Sequence, residues 1–123
     1  MEEENTENGN SEYTVVMDGA EGVQIRLLIS EADAAPTFYR RQFTVGPGGH
    51  TPRHGHDWEH EVYILAGQGV VWTADGEKPV AAGDCVFVAP NEEHQFRNTG
   101  DGEMKFLCLI PSRGDCGGPP GGR

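Results

Sequence analysis

Positive charge is scarce in this chain: 9 lysines and arginines stand against 20 aspartates and glutamates, a formal net charge of −11. Nucleic acid and anionic membrane surfaces are held through basic faces, so neither is expected as a partner. Long hydrophobic runs are missing too. No stretch approaches the roughly 18 apolar residues that cross a bilayer as a helix. The first residues, Met1-Glu2-Glu3-Glu4-Asn5-Thr6-Glu7, are acidic where a secretory leader is basic and then apolar, so a cytoplasmic location is expected. Cysteine is too sparse for a disulfide scaffold. Cys85, Cys108 and Cys116 are odd in number and lack metal-ligand spacing, which leaves free thiols in a reducing compartment. No segment carries convincing helical periodicity.

What the chain has is turns. With 18 glycines and 8 prolines among 123 residues and 36% hydrophobic content, it reads as one turn-rich β domain. Residues 1–11 are acidic and lack aliphatic side chains beyond Met1, so a disordered tail is expected there; the domain should occupy 12–112, and the glycine- and proline-rich 113–123 should form a second tail. Tyr13–Met17 is strand-like. Val23, Ile25, Leu27 and Ile29 alternate onto one face of a strand. Thr37 to Val45 reads as another strand, with Arg40 and Arg41 on opposite faces. We expect both guanidiniums to reach solvent or surface carboxylates, with an inward turn of one as the alternative. Gly46-Pro47-Gly48-Gly49 reads as a tight turn, and Asp75-Gly76 as a hairpin. Cys85–Val88, His94–Asn98 and Glu103–Ile110 read as strands. In the last, Met104, Phe106, Cys108 and Ile110 share a face and Lys105 lies on the other, so Cys108 should point inward. Strands and turns at this spacing point to an antiparallel barrel or jelly roll.

Four of the five histidines lie between Gly48 and Gly67. His54 and His56 are two apart, so an extended chain sends both imidazoles from one face. His60 opens the strand-like run Glu61-Val62-Tyr63-Ile64-Leu65. If the two segments are neighbours, three ring nitrogens converge, and His94 is the one candidate for a fourth. His50 fits no ligand position. His56-Asp57-Trp58-Glu59-His60 also spells the inverted zincin signature, but that motif needs a helix, and Pro52 and Gly55 precede it while a β-rich run follows.

Gly48, His54, His56, His60 and Gly67 resemble the first motif of the cupin superfamily, with His60 where most members carry a glutamate. Gly83, Ala89, Asn91, His94 and Asn98 resemble the second motif, Ala89 standing for proline and Asn91 for glycine. Asparagine tolerates a left-handed turn better than other non-glycine residues, so that exchange is mild. Together with Phe106-Leu107-Cys108-Leu109-Ile110-Pro111, the pattern is similar to small single-domain cupins that bind manganese through four histidines. The resemblance implies an all-β, double-stranded β-helix (jelly-roll) barrel. It also implies a homodimer, which the unpaired edges of a small barrel make reasonable, metal ligands His54, His56, His60 and His94, and Cys108 near the metal. Manganese(II) is the implied ion and iron(II) the next; imidazole ligands also suit copper, nickel and zinc.

Four neutral imidazoles leave the full charge of a divalent ion in place, so the site should attract anions and act as a strong Lewis acid. On a six-coordinate ion two positions stay open. The expected function is a metal-dependent oxidoreductase of dioxygenase type acting on a small oxygenated, anionic molecule; the alternatives are a non-catalytic cupin anchoring a small molecule through its metal and a cupin isomerase. Trp58, Phe96 and Phe106 should wall the pocket or fill the core. Glu59 and Glu61 are expected at the surface, with either one also a candidate to accept an imidazole N–H, and Glu61 placed beside the cavity. Cys108 reads as a cavity-lining thiol rather than a nucleophile. Metal affinity should weaken as pH falls through about 6.5, the ordinary histidine value.

Overall fold

The computed structural model describes residues 12–14 and 19–112. The two expected tails, 1–11 and 113–123, lie outside the described residues, as do residues 15–17 of the first expected strand. Nine strands follow in order: β1 (Glu12–Thr14), β2 (Glu21–Ile29), β3 (Phe38–His50), β4 (His60–Ala66), β5 (Gln68–Thr73), β6 (Gly76–Ala81), β7 (Cys85–Val88), β8 (His94–Asn98) and β9 (Met104–Pro111). They pair antiparallel in the order β6-β5-β8-β3-β9-β4-β7, with β2 also paired to β3 and β1 to β2. A 3-10 turn, Glu31–Asp33, capped by Ser30, follows β2. No described helix is long and apolar enough to cross a membrane. The architecture is the expected all-β jelly roll, a sheet curled around its own apolar face.

Period-two patterning explains the curl. In β9 Met104, Phe106, Cys108 and Ile110 are buried while Lys105, Leu107 and Leu109 are half-buried on the other face. β9 runs between β3 and β4, and its register sets Cys108 opposite both Arg41 and Val62, and Phe106 opposite both Phe43 and Ile64. Opposed residues share a face, so two inward rows cross three strands. Phe106 stacks on Phe43 at 4.9 Å between centroids and on Phe96 at 4.7 Å, which makes an aromatic column through the interior.

Three local features depart from the sequence reading. Gly46-Pro47-Gly48-Gly49 does not end β3: Val23 pairs with Val45 and Glu21 with His50, so the four residues bulge out within one strand. Gly49 is required there, because a Cβ would stand 2.5 Å from the Glu21 carbonyl oxygen. β6, unforeseen as a strand, is the exposed edge partner that the Asp75-Gly76 hairpin returns, and its Pro79 suits an edge. Ile29 leaves the face that Val23, Ile25 and half-buried Leu27 share, since the pairing to β3 shifts register between Leu27, opposite Arg41, and Ile29, opposite Arg40. Asn91, by contrast, adopts φ 68°, the left-handed conformation expected of it. Ala89, in the place of a proline, uses the N–H that proline lacks to donate to Glu92 Oε1 at 3.1 Å.

Buried Asn98 ties the β8–β9 connection together. Its Nδ2 donates to the carbonyls of Val45 and Gly102, both at 2.8 Å, and its Oδ1 accepts from Gly100 N at 2.8 Å. Replacing it leaves two carbonyls and one amide without partners. We expect Asn98→Leu to lower unfolding free energy by about 2–4 kcal/mol, read from urea denaturation; a change below about 0.5 kcal/mol would show that these bonds do not hold the turn.

Candidate functional site

The chain from Thr51 to Glu59 is mostly irregular, and backbone hydrogen bonds fix it to β8. His54 N donates to His94 O at 3.2 Å and His94 N donates to His54 O at 3.0 Å. Thr51 N donates to Phe96 O at 2.9 Å, and Thr51 Oγ1 accepts from Phe96 N at 2.9 Å. Arg53 adds a cation–π contact, its guanidinium 3.7 Å from the Trp72 ring centroid on β5. The first histidine segment is thereby held against the strand that carries the last histidine.

Four imidazoles meet at one end of the interior. Ring centroids are 4.4 Å apart for His54–His56, 5.0 Å for His60–His94, 5.4 Å for His54–His94 and for His56–His60, and 6.5 Å for His56–His94. His94 Nδ1 lies 3.0 Å from the Glu92 carbonyl oxygen, which can only accept, so Nδ1 carries the proton and Nε2 is left with its lone pair. His60 is oriented similarly. Its Nδ1 is 3.3 Å from Cys108 Sγ, while its Nε2 is buried without a hydrogen-bond partner. Trp58 stacks flat on His56, centroids 4.5 Å apart and planes within 1°, from outside the cavity.

Burial makes all four imidazoles reluctant to take a proton. It is the first cause of a pKa lowered to about 4 for His54 and about 3 for His60, and His56 and His94 shift the same way. Neighbouring imidazoles reinforce the shift at His54, His56 and His60, as does Arg41, while the Glu92 carbonyl partly offsets it at His94. At neutral pH the cluster is uncharged and presents lone pairs, which is the donor chemistry a divalent ion needs. As the side chains stand, no group of three or more His, Cys, Asp or Glu among the described residues is arranged to hold an ion. The cluster is assembled without being closed.

The cluster opens on a cavity of about 300 Å³ whose walls include Val23, Ile25, Phe43, Val62, Phe96 and Phe106. Phe96 and Phe106 therefore serve both core and cavity. Cys108 faces inward, 3% exposed, and burial pushes its thiol above the ordinary value, with nearby Arg41 pulling the other way. Two expectations are corrected. Arg41 does not reach solvent: it is 5% exposed, lines the cavity, donates from Nη2 to Cys108 Sγ at 3.8 Å and lies 5.1 Å over the Phe43 ring. Its parity with Tyr39, Phe43 and Val45 was the signal, since alternation puts all four on one face. Glu61 is not beside the histidines. It is exposed on the outer face, opposite Leu109, and hydrogen-bonds Glu59, which raises the Glu59 pKa. His50 stands apart from the cluster, within reach of Gln95 and the Thr51 carbonyl.

Comparison with known proteins places this geometry in a family. The Cupin_2 family model, a cupin domain, matches residues 41–110. The chain is 37% identical over 75 residues to 1-methylthio-D-xylulose 5-phosphate methylsulfurylase of Rhodospirillum rubrum, a match covering 61% of this chain and 48% of that protein. It is 38% identical over 65 residues to an oxalate-binding protein of Thermotoga maritima, covering 52% of this chain and 54% of the relative. The chain thus spans about half the length of these curated relatives. Among solved structures, the polyketide cyclase RemF from Streptomyces resistomycificus superposes with a TM-score of 0.84 at 31% identity, covering 91% of this chain and 80% of that one. With more than half of its length matched by the family model and the jelly roll in place, the chain belongs to the cupin superfamily.

Proposed function

We propose that His54, His56, His60 and His94 bind a divalent metal ion and that the protein is a metal-dependent enzyme acting on a small oxygenated organic molecule. One observation carries this reading: four uncharged imidazoles are gathered at the head of an apolar cavity, and the Nε2 of His60 is buried there with no partner. An orphaned buried nitrogen is costly unless something outside the protein satisfies it. Manganese(II) is the ion we favour, then iron(II), because four imidazoles on either leave positions for a substrate.

Bound there, a divalent ion supplies Lewis acidity, drawing charge from substrate oxygen atoms. The protein contributes the rest. The Phe43–Phe106–Phe96 column excludes water, Cys108 and the Glu92 carbonyl fix the His60 and His94 rings, and no carboxylate among the described residues lines the cavity. Neutral ligands beside a cationic Arg41 also favour the lower oxidation state of any ion they hold. Polarisation of an enolisable or carboxylate-bearing substrate is therefore favoured over electron transfer, in keeping with the likeness to a polyketide cyclase. The oxidoreductase expected from sequence is the second reading, favoured by an apolar cavity that admits dioxygen and lacks a carboxylate base. A homodimer and a cytoplasmic location belong to the same proposal; the thiols of exposed Cys85 and buried Cys108 suit a reducing compartment.

His60→Ala should lose more than half of the bound metal by elemental analysis of manganese-loaded protein, and an unchanged stoichiometry would remove His60 from the ligand set. The pH window follows from the lowered pKa values. A proton competes with the ion only near the pKa of the folded site, so affinity should stay within about twofold from pH 7.5 to 6.5 and fall only below that range. This revises the window drawn from the ordinary histidine value. A tenfold loss between pH 7.5 and 6.5 would show that the imidazoles are ordinary. Zinc separates the two reactions because it has no redox chemistry. Against a panel of diketones, phenols and small oxygenated acids, turnover by zinc-loaded protein without oxygen consumption is expected. Turnover confined to manganese or iron with oxygen uptake would establish the oxidoreductase instead.

A further inference from the structure

The interior holds a positive charge to which the metal reading gives no partner. Arg41 sits mid-strand in β3, opposite Cys108 and 5% exposed, with its guanidinium in the cavity. It meets a thiol sulfur at 3.8 Å and the face of Phe43 at 5.1 Å, and its Nε is buried without a partner. The ion pairs among the described residues lie elsewhere, at Arg97–Glu77 and Lys105–Glu103. A guanidinium is charged at any pH a protein meets and carries five donors in a planar fork shaped for a carboxylate. Buried charges are ordinarily paired, because neither a sulfur nor a ring face replaces the hydration that is lost. This one lacks its counterpart among the described residues. It also shares the cavity with His60 through Cys108, whose sulfur is 3.3 Å from His60 Nδ1.

We propose that Arg41 is an anion anchor: its guanidinium receives a carboxylate or enolate oxygen of a ligand whose flat apolar body lies along the Phe43–Phe106–Phe96 column. The stack supplies the shape. Phe43 and Phe106 are parallel within 7° and Phe96 follows at 29°, so the stacked rings give the cavity an extended apolar wall for a flat body to lie along, and about 300 Å³ limits the ligand to a small molecule. The substrate class of the site becomes aromatic or conjugated oxyanions. This rests on the metal reading only for a second oxygen reaching towards the histidines; capture of the anion by Arg41 requires no ion.

The test uses benzoate and its neutral isostere benzamide on the full chain, in chelator-treated and manganese-loaded forms, by calorimetric titration. Chelator-treated wild type should bind benzoate at least tenfold more tightly than benzamide. Arg41→Gln should erase the preference, and Arg41→Lys should keep part of it. Arg41→Met, which removes an unpaired buried charge at similar volume, should melt higher than wild type without ligand and gain nothing from benzoate. Should the glutamine variant fail to fold, the wild-type Arg41 Nε–H resonance still decides, since it should move with benzoate and stay with benzamide. Equal affinities, no binding of either probe, a still resonance, or a preference that survives in Arg41→Gln would each overturn the anchor. A preference seen only with manganese and indifferent to Arg41 overturns it while leaving the metal reading standing. A preference that depends on Arg41 in protein that binds no manganese supports the anchor and removes the metal reading.

Discussion

Two reciprocal backbone hydrogen bonds, His54 N to His94 O and His94 N to His54 O, decide whether this protein has a site at all. The segments they join are far apart in sequence, and residues 51–59 form no strand of their own apart from that single bridge. Such a loop would ordinarily be the most mobile part of a small barrel. Here Thr51 adds bonds to Phe96 on the same strand, Asn91 N donates to the His56 carbonyl, and Arg53 lies on Trp72. The loop is thus fixed at both ends and on one side before any ligand arrives. Ligand binding to rings so placed costs less ordering entropy than binding to rings on a free loop.

The second constraint is electrostatic. Four imidazoles and a guanidinium in one apolar space cannot all be charged, and the arrangement settles which of them is. Arginine cannot release its proton, so the imidazoles, already disfavoured as cations by burial, stay neutral. The Cys108 thiol between Arg41 and His60 also stays protonated, because burial outweighs the pull of the guanidinium. A site built this way holds lone pairs and one fixed positive charge at neutral pH, and no negative charge among the described residues lines its walls. Its unmet demands are for an electron-pair acceptor at the imidazoles and an anion at the guanidinium.

Most of the frame was legible because it is written in period two and in turn chemistry. The inward face of β9 was readable: the set Met104, Phe106, Cys108, Ile110 follows from keeping Lys105 outside, although the strand lies one residue later than read. The histidine grouping was readable because four copies of a rare side chain at motif spacing seldom fall together by chance. What sequence hid was set by pairing partners. The bulge at 46–49 contains the residues of a turn, and only its neighbour β2 shows that the strand continues. β6 carries a proline and no apolar alternation, so its strand character comes wholly from its hairpin partner. Glu61 adjoins a cluster histidine in sequence, yet the alternation that turns His60 inward turns Glu61 outward.

Arg41 is the instructive miss. General experience sends a strand arginine to solvent, and Arg40 does go there. Parity favoured the opposite answer for Arg41, in phase with Tyr39, Phe43 and Val45, and the structure follows parity. A local preference is overridden in this way where another demand is stronger, and such overrides gather at functional sites. An apolar residue in that row would have packed against Val62 and Cys108 with no charge to desolvate. A core optimised for stability alone would therefore have no arginine there, and its presence next to four neutral imidazoles is what the proposed anion anchor accounts for.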